Sequence, residues 1–372
     1  MSETNLFPYI SEFLGTVEFQ AEVIQDGHIH DGWYIHTNHT TYPETILQKV
    51  NTHVFTDPDG LMQNIHQITS FLQKKNPSQK QLNLIPTSLR KIYFQATDGS
   101  VWRMYERIPN CYSTQITQNL RQVYEAGRVT GYFLKQLQDY PVHSLNISIP
   151  DFHNTPKRYQ DFLQALSAAD AELVQLVQPE IEFLHKRSDH FGLIWEALYE
   201  QRLPWRVTHN DTKLDNILFD LNTDQAICLI DLDTIMPGSA LFDFGDALRA
   251  MGNPAAEDEP DLTKVEFQMP VFEAYTQGYL ATAGEILTEQ ELSWLALSPW
   301  LITIEIGMRF LTDYLQGNPY FRIHYPMQNL YRCRTQFKLA SDMEAQQYLM
   351  KSIVQKLRNG MYSLGIESKQ ES

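Results

Sequence analysis

His209, Asp211 and Asn216 place an imidazole two residues before a carboxylate and a carboxamide five residues after it. The apolar run Ala226 to Ile230 then ends on a further carboxylate, Asp231. This set suits phosphoryl transfer to a hydroxyl. A transferring phosphoryl group carries several negative charges, so oxygen-bearing side chains are needed to hold Mg²⁺ against it. Asn216 and Asp231 are the candidates for that task. A carboxylate facing the attacking hydroxyl orients it and takes its proton late in the reaction, and Asp211 has the right place in the loop. His209 reads as a brace that holds the loop, not as an acid or base. A lone His-x-Asp-x-x-x-x-Asn is common by chance; the strand-borne Asp231 beyond it and a β-rich segment before it give the pattern its weight.

Asp243-Phe244-Gly245 spells a second metal-type motif, but no strand signal precedes it. Asp231 has the better spacing and the apolar strand, so the metal is assigned there and Asp243 is read as a loop anchor. Asp233 is a candidate for contact with metal or water in an outer layer.

These residues need two kinds of scaffold. Up to about residue 108 the chain reads as mixed α/β. A turn over Asp26 to Gly32 feeds a strand at Trp33-Tyr34-Ile35, and Thr45 to Val50 is a second strand. Asp57-Pro58-Asp59-Gly60 starts a helix carrying Leu61, Ile65, Ile68 and Leu72 at helical spacing. Lys91 to Ala96 and Val101 to Ile108 flank Thr97-Asp98-Gly99-Ser100 as a hairpin. Trp102-Arg103 on that strand reads as packing plus surface. From Thr114 onward helical periodicity takes over: a stripe from Ile116 to Leu137, then Tyr159 to Ser167, Ala171 to Lys186 and Phe191 to Glu200. Val271 to Leu364 is again helical, before a mobile polar tail at Glu367 to Ser372. Only Trp205 to Ile230, the island that bears the chemistry, returns to short strands. The expected fold is α+β and bilobal: a small β-rich N-lobe over residues 1–108 and a large, mainly helical C-lobe over 109–372.

The 372 residues carry 29 Lys+Arg against 45 Asp+Glu, a formal charge of −16. So acidic a chain offers no basic stripe for nucleic acid. No apolar run approaches the roughly 18–20 residues that span a bilayer, and Met-Ser-Glu-Thr-Asn lacks the features of a secretory signal. The three cysteines, Cys111, Cys228 and Cys333, fit neither a disulfide framework nor a zinc site. Cys228, inside the strand before Asp231, reads as an inert apolar filler. A cytoplasmic protein with no membrane or nucleic-acid partner is expected, its oligomeric state left open.

His209 to Asn216 with Ile230-Asp231 resembles the aminoglycoside phosphotransferase and choline kinase superfamily, whose members share a protein-kinase-like fold and phosphorylate small molecules. Longer strings narrow the likeness: Ile230 to Gly238, Phe242 to Arg249, Ala255 to Leu262, Ile46 to Asn51, Phe152 to Thr155 and Arg309 to Leu315. Together they are similar to the N-acetylhexosamine 1-kinase group, over roughly residues 20–335. The resemblance implies ATP as co-substrate, Mg²⁺ as cofactor, and the anomeric hydroxyl of N-acetylglucosamine or N-acetylgalactosamine as acceptor. It implies Asp211 as base and acceptor contact, and Asn216 and Asp231 as Mg²⁺ ligands. It points to Lys49 for the α- and β-phosphates, although Lys49 also reads as an exposed strand lysine. Glu106 to Ile108 would meet adenine through the backbone, and His28 and His30 would lie near phosphate or ribose. Arg309 and Asp313 share a helix face, either toward sugar hydroxyls or as a structural ion pair.

Three departures stand out. The helix after Lys49 contains no Glu to pair with it, which leaves Asp59 or another carboxylate. Gly27 and Gly32 do not make a G-x-G-x-x-G. Asn210 stands where Gly is common. Other readings are a kinase for an aminoglycoside, a choline-like amine, homoserine or another sugar, and a non-catalytic nucleotide-binding protein.

Overall fold

Period-two alternation in two central strands divides the small lobe into an outer and an inner face. The computed structural model describes residues 3–24 and 29–360; His28 and the Glu367 to Ser372 tail lie outside them. Strands β1 (Phe19–Val23), β2 (Asp31–Thr37), β3 (Glu44–Val50), β4 (Phe94–Gln95) and β5 (Val101–Glu106) form an antiparallel sheet in the order β1-β2-β3-β5-β4. Across β3 and β5, Leu47 pairs with Met104 and Lys49 with Trp102, while Ile46 pairs with Tyr105, Gln48 with Arg103 and Val50 with Val101. The first group shares the outer face, where helix α1 (Glu3–Leu14) buries Leu6, Ile10, Phe13 and Leu14 against Trp33, Ile35, Leu47, Trp102 and Met104. The sequence reading had placed no helix there. The second group faces the main core, together with helix α2 (Pro58–Lys75) and its Leu61, Met62, Ile65 and Ile68. Asp57 caps α2 by accepting the Gly60 amide at 3.0 Å, as Asp-Pro at a helix start predicts.

Beyond β5 the chain enters the helical lobe. Strand β6 (Cys111–Tyr112) joins β8 (Ile217–Asp220) and β9 (Ala226–Leu229), and β7 (Arg206–Thr208) pairs with β10 (Met236–Gly238). Around them pack α3 (Leu120–Gln136), α4 (Thr155–Ala168), α5 (Ala171–Leu176), α6 (Gln178–His185), α7 (Leu193–Tyr199), α8 (Ala240–Met251), α9 (Met269–Ala283), α10 (Glu289–Trp294), α11 (Ser298–Leu315) and α12 (Gln328–Arg358). The result is the α+β bilobal arrangement expected. Among the described residues no helix is long and apolar enough to cross a membrane.

Two expected boundaries move, each for a local reason. Asn119 caps α3 by accepting the Arg121 amide at 3.0 Å, so Ile116 falls outside the helix and is exposed. The helix expected over Ala171 to Lys186 breaks into α5 and α6 because Pro179, in the first turn of α6, cannot donate to the preceding turn.

Helices α3 and α9 approach closely where glycines face backbone. A Cβ on Gly127 would lie 2.1 Å from the Tyr275 carbonyl oxygen, and one on Gly278 would lie 1.9 Å from that of Tyr124. Neither obstruction is a side chain that can swing away. Gly278→Ala should therefore lower stability by about 1–3 kcal/mol through overpacking, read as a lower urea midpoint at unchanged slope; an unchanged midpoint would mean that the two helices are free to separate.

Candidate active site

The loop from His209 to Asn216 has no regular pairing to fix its first turn, and α8 supplies the fixing. Asp243, buried on the first turn of α8, accepts the backbone amides of His209 at 2.9 Å and Asn210 at 2.7 Å. One turn later Asp246 accepts the Thr212 amide at 3.1 Å. The Thr212 hydroxyl donates to the Asp243 carbonyl at 2.6 Å. Asn210 takes the left-handed conformation, φ 65°, which Asn adopts more readily than most residues. Its side-chain amide also donates to the Thr234 carbonyl at 2.7 Å. The residue thus accepts the backbone shape that Gly would allow and adds a tether. Burial pushes the Asp243 carboxyl up, opposed by His209 and the two amides it accepts.

With the loop fixed, Asp211 stands partly open. Its Oδ2 accepts the Asn216 side-chain amide at 2.8 Å, and the same NH₂ group reaches the Asp211 carbonyl at 2.8 Å. Asp211 Oδ1 and Asn216 Oδ1 have no partner among the described residues. His209 Nδ1 accepts the Asp211 amide at 3.3 Å, so its proton sits on Nε2, which donates to the Ile230 carbonyl at 2.9 Å. The imidazole therefore links the loop to the peptide that precedes Asp231.

The β8–β9 hairpin brings Asp231 to the same corner. Ile217 pairs with Leu229, and the Ile230 amide donates to the Asn216 carbonyl at 2.9 Å. Asp231 follows at φ 60°, ψ 63°, a left-handed conformation that costs a non-Gly residue about 1–3 kcal/mol. Among the described residues no hydrogen bond or ion pair reaches its carboxylate. Burial pushes its carboxyl up to about 7, with the like charges of Asp233 and Asp211 adding to the rise. A strained, half-buried carboxylate without a partner among the described residues, beside a carboxamide oxygen with no donor, is a donor set that fits a hard divalent cation.

Asp233, two residues on, does not share that freedom. It is 3% exposed and is gripped from the small lobe by Arg103 and His30. Arg103 Nη2 meets Asp233 Oδ2 at 2.8 Å while Nη1 meets Oδ1, and Arg103 Nε donates to Gln48 Oε1 at 2.9 Å. His30 Nδ1 accepts the Asn51 amide at 3.0 Å, which leaves Nε2 to donate to Asp233. Burial alone would raise the Asp233 carboxyl; Arg103 and His30 outweigh it and hold the group well below the usual carboxylate range. Asp233 is therefore an interlobe anchor, and Arg103, expected as packing plus surface, is 1% exposed and ion-paired.

The structure does not bring Lys49 to this corner. Alternation on β3 turns it to the outer face, with its Nζ 6.0 Å from the Trp102 ring; Gln48 is the β3 residue that points inward. Asp59 does not serve it either, since it accepts the Tyr93 hydroxyl. At the connection, Glu106 accepts the Asn83 side-chain amide at 3.0 Å, and the Ile108 carbonyl accepts the Cys111 thiol at 2.9 Å.

On the large-lobe side Arg309 and Asp313 part company. Asp313 accepts the amides of Tyr320 and Phe321 at 2.8 and 3.0 Å and the Asn329 side chain at 2.9 Å. Its oxygens are engaged by the turn after α11 and it does not pair with Arg309, although both residues line one cleft. Arg309 sits 5.5–5.8 Å from the rings of Phe152, Tyr320 and Phe321 and has no hydrogen bond among the described residues. It lines a cleft with Arg158, Thr312 and Tyr320. Burial and Arg158 pull its pKa down. One turn earlier on α11, buried Glu305 meets His153 Nδ1 at 2.9 Å, and His153 Nε2 faces the Asn210 carbonyl at 3.3 Å. That chain ties α11 to the loop and accounts for the Phe152 to Thr155 string.

The sequence reading missed Lys213. Its Nζ lies 3.6 Å from Asp211 Oδ2 and 3.7 Å from Asp215 Oδ2. Burial works against its charge, but Asp211, Asp215, Asp231 and Asp246 together raise its pKa. Its place two residues after Asp211 was the available signal. Arg103 gave none, because only the fold puts it opposite Asp233.

Residues 20–286 match the phosphotransferase enzyme family. Solved structures agree in fold. A microcompartment-associated aminopropanol kinase superposes with a TM-score of 0.62 at 15% identity, covering 93% of this chain and 98% of its own. An ethanolamine kinase from Plasmodium vivax gives 0.56 at 14%, covering 90% and 89%. An aminoglycoside phosphotransferase from Alicyclobacillus acidocaldarius gives 0.56 at 14%, covering 95% of each chain.

The environment of Asp231 has a consequence for stability. A carboxyl raised to about 7 in the folded chain and ordinary in the unfolded one favours folding only while protonated, so its penalty grows from about pH 4 to pH 7. Fully developed, the penalty is on the order of 4 kcal/mol. Asp231→Asn removes it. In the absence of divalent metal, that variant should melt several degrees above wild type at pH 8, with the gap closing toward pH 4. A lower melting temperature at pH 8 would mean that Asp231 is satisfied by groups of the protein itself.

Proposed function

Since the chain belongs to the phosphotransferase enzyme family, we propose that it is an ATP-dependent small-molecule kinase whose acceptor is a sugar hydroxyl, the anomeric C1 hydroxyl of an N-acetylhexosamine. The observation that carries the kinase reading is the corner where Asn216 bonds Asp211 at 2.8 Å while the Asp231 carboxylate has no partner among the described residues. The sugar assignment rests on the strings Ile230 to Gly238, Phe242 to Arg249 and Arg309 to Leu315. ATP lies between the lobes, held mainly by residues up to 108, with adenine against Glu106 to Ile108. The acceptor lies on the part from 109 onward.

In this reading Asp211 faces the acceptor hydroxyl, orients its oxygen toward the γ-phosphorus and takes the proton as the new P–O bond forms and the bond to ADP breaks. An anomeric hydroxyl is more acidic than an ordinary alcohol, so a carboxylate suffices as base. Asp231 and Asn216 would hold Mg²⁺, which supplies neutralisation of phosphate charge when bound. Lys213, kept protonated by its four carboxylate neighbours, adds positive charge beside Asp211. Arg309, without a hydrogen-bond partner among the described residues, contributes donors to the sugar or its N-acetyl oxygen. Positioning and charge neutralisation account for most of the rate.

ADP release should be followed with N-acetylglucosamine, N-acetylgalactosamine, glucose, galactose, ethanolamine, choline, homoserine and kanamycin, using Asp211→Asn as the blank. Selective turnover of an N-acetylhexosamine, with phosphate on C1 by NMR, is the expected outcome. Asp211→Asn should lose about 10²–10⁴-fold in kcat while still binding ADP. Turnover of an amine-bearing acceptor instead would keep the machinery and reject the sugar; near wild-type kcat in the variant would reject the base.

A further inference from the structure

We infer that Arg103 is a positioning residue for the metal–nucleotide corner: by gripping Asp233 it ties the small lobe to the turn on which Asp231 sits. The inference rests on the reading of Asp231 and Asn216 as metal ligands. In a fold where a strand lysine commonly reaches the phosphates and a helix glutamate holds that lysine, this chain turns Lys49 outward and has no Glu on α2. Its inward-facing cation is Arg103, one strand over.

Three of the guanidinium's donors have fixed partners. Nε goes to Gln48 Oε1 at 2.9 Å, and both terminal nitrogens go to Asp233, one of them at 2.8 Å. The Tyr105 ring, 5.2 Å away, packs against it. Both arms of the fork are spent on Asp233, so Arg103 acts on the turn and not on the reacting atoms. That turn, Leu232–Thr234, is short and opens on the left-handed Asp231. Its large-lobe side is already fixed: the Thr234 carbonyl accepts Asn210 at 2.7 Å, the Thr234 hydroxyl donates to the His209 carbonyl at 2.6 Å, and the Ser148 hydroxyl donates to the Asp233 carbonyl at 3.0 Å. From the small lobe, the restraints on the Asp233 side chain are Arg103 and His30. A displacement of Asp233 therefore passes through one turn to Asp231 and alters its distance from Asn216.

A buried ion pair is seldom more stabilising than an apolar pair of the same shape. What a bidentate guanidinium offers in addition is direction, because it fixes both oxygens of a carboxylate at once. A purely structural role would make the pair interchangeable with any stable packing; a positioning role would not. The two roles separate in metal binding.

The test measures ADP binding by calorimetry across a Mg²⁺ titration, and Mn²⁺ binding by EPR, on full-length Arg103→Gln, Arg103→Lys and Asp233→Asn, with melting curves for each. Lys49→Ala serves as the control from the outer face. Arg103→Gln should need about tenfold or more metal to reach half-saturation, the range seen when groups behind metal ligands are lost, with metal-free ADP affinity within about twofold of wild type. Arg103→Lys keeps the charge without the fork and should fall between. A folded Arg103→Gln chain with wild-type metal dependence overturns the proposal. If that chain does not fold, wild-type metal dependence in both Arg103→Lys and Asp233→Asn overturns it equally. The assay needs no acceptor, so a wrong sugar leaves it intact. A wild-type chain whose ADP affinity ignores Mg²⁺ rejects the ligand assignment itself.

Discussion

The two carboxylates of Asp243 and Asp246 on α8 are the constraint from which the rest of the site follows. The non-repetitive residues His209 to Lys213 must hold one shape, and their amides have no strand or helix to pair with. A buried amide without an acceptor is costly, so the loop either finds acceptors or moves. Asp243 takes two of those amides and Asp246 a third. Spaced three apart on one helix, both point to the same side. The helix axis thereby becomes the reference for Asp211. In the Asp-Phe-Gly string each carboxylate oxygen of Asp243 therefore accepts one backbone amide of the loop.

From that reference the position of each further group is inherited in turn. His209, held by its own amide, spans from the Asp211 amide to the Ile230 carbonyl through its two ring nitrogens. Asn216 closes the loop onto Asp211 and, through its carbonyl, onto Ile230. Asp231 is thus bounded on the large-lobe side by groups that are themselves anchored to α8. The small lobe reaches the same turn through Asp233, and again at its end, where the Asn64 side-chain amide on α2 donates to the Ile235 carbonyl at 3.0 Å. One site therefore has two independent supports, a rigid one beneath and an ion-paired one above, and the second is the one that lobe motion would strain.

Much of this was legible in the sequence. Asp211, Asn216 and Asp231 follow from loop spacing and an apolar strand, and Asp243 was separable from them because no strand signal precedes it. The bilobal layout follows from the change in periodicity near residue 114. What failed was orientation. On β3, Gln48 and Lys49 are adjacent, and a shift of one residue in register exchanges inner and outer faces; an apolar–polar pattern as weak as Thr-Ile-Leu-Gln-Lys-Val does not decide between them. Arg103 lay on a strand flanked by apolar residues, where a charged side chain is ordinarily read as surface, and its partner lies 130 positions away. Asp313 was legible as sharing a face with Arg309, but not as the acceptor for a turn that only the end of α11 creates.

The contrast between Asp231 and Asp233 shows how one short segment divides its labour. The two carboxyls sit two residues apart, Asp233 buried and Asp231 half-buried, yet their environments push them in opposite directions. Asp233 has a guanidinium fork and an imidazole; Asp231 has neither, and the charge of Asp233 adds to its burden. Satisfying both with cations from the protein would leave no vacant ligand. Leaving both unsatisfied would put two like charges in one dry turn with nothing to hold the turn in place. Assigning the protein's own cation to Asp233 fixes the turn and concentrates the electrostatic deficit on Asp231. The left-handed backbone at Asp231, φ 60° and ψ 63°, opens the turn that carries both carboxylates.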